Sequence, residues 1–202
     1  LDAMTFMVRI LVGQACFLRM VEHRDGMRVD DVSFTTNLEG QTTAILRVKE
    51  RKDKVRMHRE RLCTMPVHDN VMSAGGALKV YMARCHGGWR KPVAPKDTLL
   101  FPAWTARGQA TAVPASEYYF KTGLKALASK AGMPQAMVAK LRPHSLRAGG
   151  CTDALAAGLD ESWVQMQGGW LSSVFKIYYR PMAADMAYMF ERLKTMEIRM
   201  AQ

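Results

Sequence analysis

The sequence predicts a mainly α fold carrying a small antiparallel β-sheet, an α+β class. Three observations predict it. Apolar residues recur at helical spacing near the start and through the second half of the chain. Two β-branched runs separated by a polar turn lie between residues 32 and 48. Gly and Pro cut the remainder into short segments. With 49% hydrophobic and 23% charged residues the chain has the composition of a folded domain rather than a disordered one. Its 202 residues suffice for one core, or a core with a small appendage.

Within residues 5–24, Phe6, Ile10, Phe17, Leu18 and Val21 mark one or two helices, and Gly26 breaks the pattern. Residues 32–36 and 42–48 are predicted strands around the turn Asn-Leu-Glu-Gly-Gln, and residues 62–67 supply a third. Residues 71–85 read as a helix on Leu78, Val80 and Tyr81; Gly87, Gly88, Pro92 and Pro95 make 86–96 a loop. The run Thr-Leu-Leu-Phe-Pro-Ala-Trp, 98–104, is a short buried segment, followed by a loop over 105–114. A helix is expected over 116–130, capped by Ser116 and closed before Gly132. After Pro134 comes a short helix to Lys140, and after Pro143 a helix over 144–157 that Gly158 stops. Asp160 caps a helix through Met166, Gly168 and Gly169 turn the chain, and Ser172 or Ser173 caps a helix that Pro181 interrupts. The last segment, 183–200, is amphipathic, with Met186, Met189, Phe190 and Leu193 on one face.

The formal net charge of +11 and isoelectric point near 9.8 favour a polyanionic partner, nucleic acid before an acidic membrane. Residues 47–61 hold eight Lys or Arg against Glu50, Asp53 and Glu60. Such a run is either a solvated hairpin or one that tracks phosphates. Cys16, Cys63, Cys85 and Cys151 have no metal-like spacing and read as reduced thiols. The apolar stretch 6–18 is broken by Arg9 and Gln14 and is too short to span a bilayer. No signal peptide is expected, and a chain beginning at Leu1 reads as part of something longer.

The chemistry concentrates in residues 144–181. They hold His-Ser-Leu-Arg, a helix rich in small residues, Gly-Gly-Trp, and Tyr179 nine residues after Trp170. In order and spacing this resembles the end of the tyrosine recombinase (phage integrase) family, in the variant that carries Trp after the glycines. Upstream, Leu18-Arg19-Met20-Val21-Glu22 is similar to the family's first arginine motif, with Phe17 where the family usually has glycine; Asp30 or Asp31 fills a later acidic place. The resemblance implies the catalytic-domain fold of that family. It implies catalytic roles for Arg19, Lys52, His144, Arg147, Trp170 and Tyr179, with Lys54 and Lys49 as alternatives to Lys52 and Tyr178 as the alternative nucleophile. Arg47, Lys49, Arg51, Lys54 and Arg56 are the expected DNA contacts.

These residue types suit phosphodiester chemistry. Two guanidiniums grip the non-bridging oxygens through paired N–H donors. His144 stands three residues before Arg147, on the same helical face. The implied reaction is DNA strand cleavage and rejoining through a 3′-phosphotyrosyl link, with no metal, no nucleotide cofactor and no small-molecule substrate. The implied partner is double-stranded DNA, bound by a homo-tetramer on two sites inside the cell, with no membrane involved. Alternatives are an inactive DNA-binding relic of the same fold, or relaxation of supercoils in the manner of a type IB topoisomerase. An unrelated RNA- or DNA-binding protein would interleave aromatics with its basic residues, and residues 42–62 contain no Phe, Tyr or Trp. The resemblance also implies a single catalytic domain over 1–202. Residues 183–202 would then form a helix that docks in cis or in trans, and a separate core-binding domain would precede the chain.

Overall fold

Helix α1, Asp2–Ala15, buries Val8 and Val12 and is followed by a sharp turn at Cys16 and Phe17 before the short helix α2, Met20–Asp25. The computed structural model describes residues 2–25, 27–50, 59–70 and 72–178. Strands β1, Val32–Thr36, β2, Thr42–Glu50, and β3, Arg59–Pro66, form one antiparallel sheet in that order. Val32 pairs with Leu46 and Thr36 with Thr42; Thr43 pairs with Pro66 and Glu50 with Arg59. The first turn is set by Asn37, whose Oδ1 accepts from the amides of Glu39 and Gln41.

β3 begins three residues earlier than its apolar run suggests. Alternation explains the difference: Arg61, Cys63 and Met65 face the core while Glu60, Leu62 and Thr64 do not, so Leu62 is exposed and a cation lies inside. Helix α3, Ala74–Cys85, starts after Ser73, whose hydroxyl accepts from the Gly76 amide, and covers the sheet. Val12, Leu46, Leu78 and Leu100 are wholly buried in the core that α1, α3 and the sheet share. Each such side chain contributes roughly 1.5–3 kcal/mol.

The segment 98–104 is buried at Leu100 and Phe101, as expected, but the loop expected after it is a hairpin. β4, Pro102–Trp104, pairs with β5, Ala110–Pro114, around a turn where Gly108 takes a φ of 73°. These strands are short, irregular in register and half-exposed, so they carry no alternating apolar pattern.

Four helices follow: α4, Glu117–Lys130, α5, Gln135–Lys140, α6, His144–Ala156, and α7, Glu161–Gly168. Ser116 and Asp160 cap α4 and α7 as expected, accepting from Tyr119 and from Ser162 and Trp163. The helix expected after Ser173 is a 3-10 segment, Ser173–Tyr178. Its carbonyls are drawn sideways onto α6: Phe175 O accepts from Cys151 Sγ at 3.8 Å, and Tyr178 O from Thr152 Oγ1 at 2.9 Å. The amphipathic segment 183–200 and Gly26 lie outside the described residues. Among the described residues no helix is long and apolar enough to cross a membrane.

A second, smaller core joins α6 and α7 to the turn after α1, built from Phe17, Cys151, Val164, Trp170 and Phe175. α6 meets the end of α1 tightly at Gly150, where an added Cβ would lie 2.1 Å from Gln14 O and 2.9 Å from the Phe17 ring. At Gly149 a Cβ would meet nothing within 4 Å. Gly150→Ala is therefore expected to push α6 off α1 and cost about 1–3 kcal/mol or more. Gly149→Ala should instead gain about 0.5–1 kcal/mol by helix propensity. Urea denaturation of the two variants separates these outcomes, and equal shifts would refute the packing assigned to Gly150.

Candidate active site

Burying a guanidinium requires partners for its N–H groups, and Arg147 on α6 is 1% exposed. Its Nη1 donates to Phe17 O, in the turn between α1 and α2, and its Nη2 to Gly168 O, at the end of α7, at 2.9 Å. Its Nε–H has no partner among the described residues. The guanidinium carbon lies 4.0 Å from the centroid of the Trp170 ring and 6.0 Å from that of Tyr178. Burial, together with the charges of Arg19 and Arg61, holds its pKa down at about 10, so it stays charged at neutral pH.

Two backbone features bring these carbonyls to Arg147. Phe17 takes a φ of 48°, in the left-handed region that favours glycine. Its ring pays back the strain by packing on Trp163 and Trp170, at 6.4 and 5.8 Å between centroids. At Gly168 a Cβ would overlap the Trp170 ring at 1.8 Å, so only glycine lets that ring fold back over the helix end. Gly169 then caps α7 at a φ of 67°. The Trp170 side chain is buried against Phe17, Phe175 and Tyr178.

Arg19 stands at the mouth of the same turn and is organised by Glu22. The buried Glu22 carboxylate accepts from the Arg19 amide at 2.7 Å and from Arg19 Nη1 at 2.9 Å. It also receives Arg61, on β3, at 3.1 and 3.4 Å. One carboxylate thus fixes two guanidiniums, while a third belongs to Arg147 close by. Arg61 went unrecognised in the sequence as anything more than part of a basic run; its parity with Cys63 and Met65 was the available signal. Asp31 works likewise further along the sheet. Buried, it accepts from the Arg28 amide at 2.9 Å, Arg47 Nε at 3.1 Å and Lys49 Nζ at 2.9 Å. Of the two candidate aspartates, Asp31 holds this place and Asp30 is exposed.

His144 opens α6 with its ring 5.2 Å from that of Tyr178. Burial, then Arg147 and Arg19, push its pKa below 6.5. Arg19, His144, Arg147 and Trp170 are therefore brought together from three segments, and a fourth adds the Tyr178 ring. Arg47 and Lys49 lie on β2, ion-paired to Asp31. Lys52, Tyr179, Arg51, Lys54 and Arg56 lie outside the described residues.

The family model described as "Phage integrase family" matches residues 5–184, nearly the whole chain and every element that builds the site. The chain belongs to the phage integrase family. Among solved structures it is similar to XerA recombinase, with a TM-score of 0.59 and 18% identity over 95% of this chain and 62% of that one. It is also similar to the Tn1549 transposon integrase solved in complex with circular intermediate DNA, with a TM-score of 0.53 and 18% identity over 92% of this chain and 59% of that one. At such identity the likeness shows the fold, the mainly α catalytic-domain architecture with its small antiparallel sheet. This integrase-family chain spans about six-tenths of the length of the solved chains it matches. Comparison with curated proteins finds no match.

The depressed His144 pKa gives a direct check on the clustering of charge. The folded chain binds this proton more weakly than the unfolded chain does, so His144 removes stability as pH falls through 6.5. Titration of the His144 ring by NMR is expected to give a pKa below 6.5 in the intact chain and a rise toward 6.5 in Arg19→Gln. A ring that titrates at or above 6.5 would contradict the convergence of Arg19 and Arg147 on it.

Proposed function

We propose that this chain cleaves and rejoins DNA strands at specific sites by transesterification through a tyrosine. The observation that carries the reading is the meeting of Arg19, His144, Arg147 and Trp170 in one cationic cluster, supplied by three separate segments of a family member. In this reading the Tyr179 hydroxyl attacks the scissile phosphorus. A P–O bond to tyrosine forms and the P–O5′ bond breaks, leaving the 3′ phosphate on the enzyme and a free 5′ hydroxyl. Reversal by a 5′ hydroxyl of another strand rejoins the DNA.

Charge builds on the non-bridging oxygens in the transition state, where preorganised donors act most strongly. Arg19 and Arg147 supply them, and the Nε–H of Arg147, without a partner among the described residues, is suited to an oxyanion, as is the indole N–H of Trp170 by its chemistry. His144, neutral at pH 7 because its pKa is depressed, accepts the tyrosine proton. Lys52, with Lys54 and Lys49 as alternatives, protonates the departing 5′ oxygen. The pairing of Lys49 with Asp31 supports a structural part for that lysine. Arg47, Lys49, Arg51, Lys54 and Arg56 track the phosphates of the duplex.

The DNA-bound Tn1549 integrase supports double-stranded DNA as the partner, and therefore a place on DNA inside the cell. The working assembly is a homo-tetramer on two DNA sites. A separate DNA-clamping domain completes each subunit.

The decisive experiment is covalent trapping on nicked duplex from the flanks of the gene. A protein–DNA adduct is expected on Tyr179, with cleavage lowered at least about 10³-fold in Tyr179→Phe. An adduct mapped to Tyr178, whose ring lies against His144 and Trp170, would keep the activity and move the nucleophile. Tight binding with no adduct on either residue would replace a catalyst by a DNA-binding relic.

A further inference from the structure

The last turn of α7 carries a buried amide that the proposed chemistry does not use. Gln167 is 1% exposed. Its Oε1 accepts from the Thr64 amide at 3.2 Å, and its Nε2 donates to Thr64 O at 3.0 Å and to Ala15 O at 3.2 Å. β3 is an edge strand, and at Thr64 the side-chain amide takes the place of the missing neighbour strand, meeting both the N–H and the C=O. Ala15 O is one of the carbonyls that a helix C-terminus leaves without a partner. The Gln167 carbonyl in turn accepts from Cys63 Sγ at 3.4 Å.

The anchor points of this strut adjoin the grip on Arg147. Ala15 precedes Phe17 by two residues and Gln167 precedes Gly168 by one, and Phe17 O and Gly168 O are the carbonyls that hold the guanidinium. The spacing between those carbonyls is thus set by how α7 is tied to α1 and β3. A leucine or methionine would fill the same volume. It would also leave Thr64 N, Thr64 O and Ala15 O without their side-chain partner at a partly buried junction and let the two carbonyls drift.

We propose that Gln167 is a positioning residue for Arg147: by bonding Ala15 and Thr64 it fixes the two carbonyls that aim the guanidinium at the scissile phosphate. The inference rests on the strand-cleavage reading above.

The test is single-turnover cleavage by the full chain at the site mapped by the tyrosine adduct. Substrates carry either an ordinary phosphate or one of the two phosphorothioate diastereomers at the scissile position. A correctly aimed guanidinium distinguishes the two non-bridging oxygens, so the wild-type chain is expected to prefer one diastereomer. Gln167→Met is expected to cleave the ordinary phosphate about 10²-fold more slowly, with unchanged DNA affinity, and to lose most of the preference between diastereomers. Gln167→Asn keeps an amide but cannot reach both anchors, and should fall between. It carries the test if the methionine variant does not fold. Slower cleavage with the preference intact in both variants would show a purely structural role and overturn the proposal, as would unchanged cleavage. Absence of cleavage by the wild-type chain would instead refute the functional reading on which the proposal rests.

Discussion

The constraint on which this architecture depends is the burial of one positive charge. A guanidinium taken out of water is tolerated only when its donors are met, and Arg147 meets two main-chain carbonyls and the face of an indole. Those carbonyls come from opposite ends of the sequence, 130 and 21 residues away from Arg147. The turn after α1 and the end of α7 must therefore converge on α6. Three local irregularities serve that convergence: the left-handed Phe17, the bare Gly150 against α1, and the bare Gly168 under Trp170. None of them is favourable in isolation, and together they make room for a cation that touches backbone instead of solvent.

Around this charge the chain places others of the same sign and offsets them with few carboxylates. Glu22 serves Arg19 and Arg61, and Asp31 serves Arg47 and Lys49. Both acids are buried, where an ion pair acts at low effective dielectric, and both accept a main-chain amide as well, which fixes their orientation. Each carboxylate therefore sets the direction of two cationic side chains at once. Pairs of this kind add little net stability after desolvation. What they supply is geometry, and a site that must stabilise charge in passing needs its donors fixed beforehand.

The elements legible in the sequence were those whose signal is local. Ser116 and Asp160 announce helix starts because a hydroxyl or carboxylate beside free amides is a short-range interaction. β1 and β2 are legible from β-branched alternation. The start of β3 was hidden because Leu62 faces outward and Arg61 inward, inverting the apolar pattern. The β4–β5 hairpin was missed because its short exposed strands have no period to read. For the site, the order of Arg19, His144, Arg147 and Trp170 along the chain was legible, and the structure brings these four together. Glu22 was visible only as part of a motif. The partnership of Glu22 with Arg61 and the bonds of Gln167 join residues 39, 103 and 152 positions apart, and no local pattern encodes them.

The arrangement also explains why so much positive charge can be concentrated before any anion arrives. The charges of Arg19 and Arg61 lower the pKa of Arg147, those of Arg147 and Arg19 lower that of His144, and one carboxylate does not neutralise the three guanidiniums. Left alone, such a cluster would spread its members into solvent. Here the carbonyls of Phe17 and Gly168, the carboxylate of Glu22 and the Trp170 face hold the cations without cancelling their charge, because carbonyl dipoles and ring quadrupoles carry none. The Arg147 Nε–H, without a partner among the described residues, costs about 1–3 kcal/mol if left so in the free protein. An oxyanion that reaches it recovers that cost and relieves the mutual repulsion in one step. In the proposed reaction, the free energy stored in holding the cations together would be released when the scissile phosphate carries its greatest negative charge, which is the condition for accelerating its chemistry rather than only binding it.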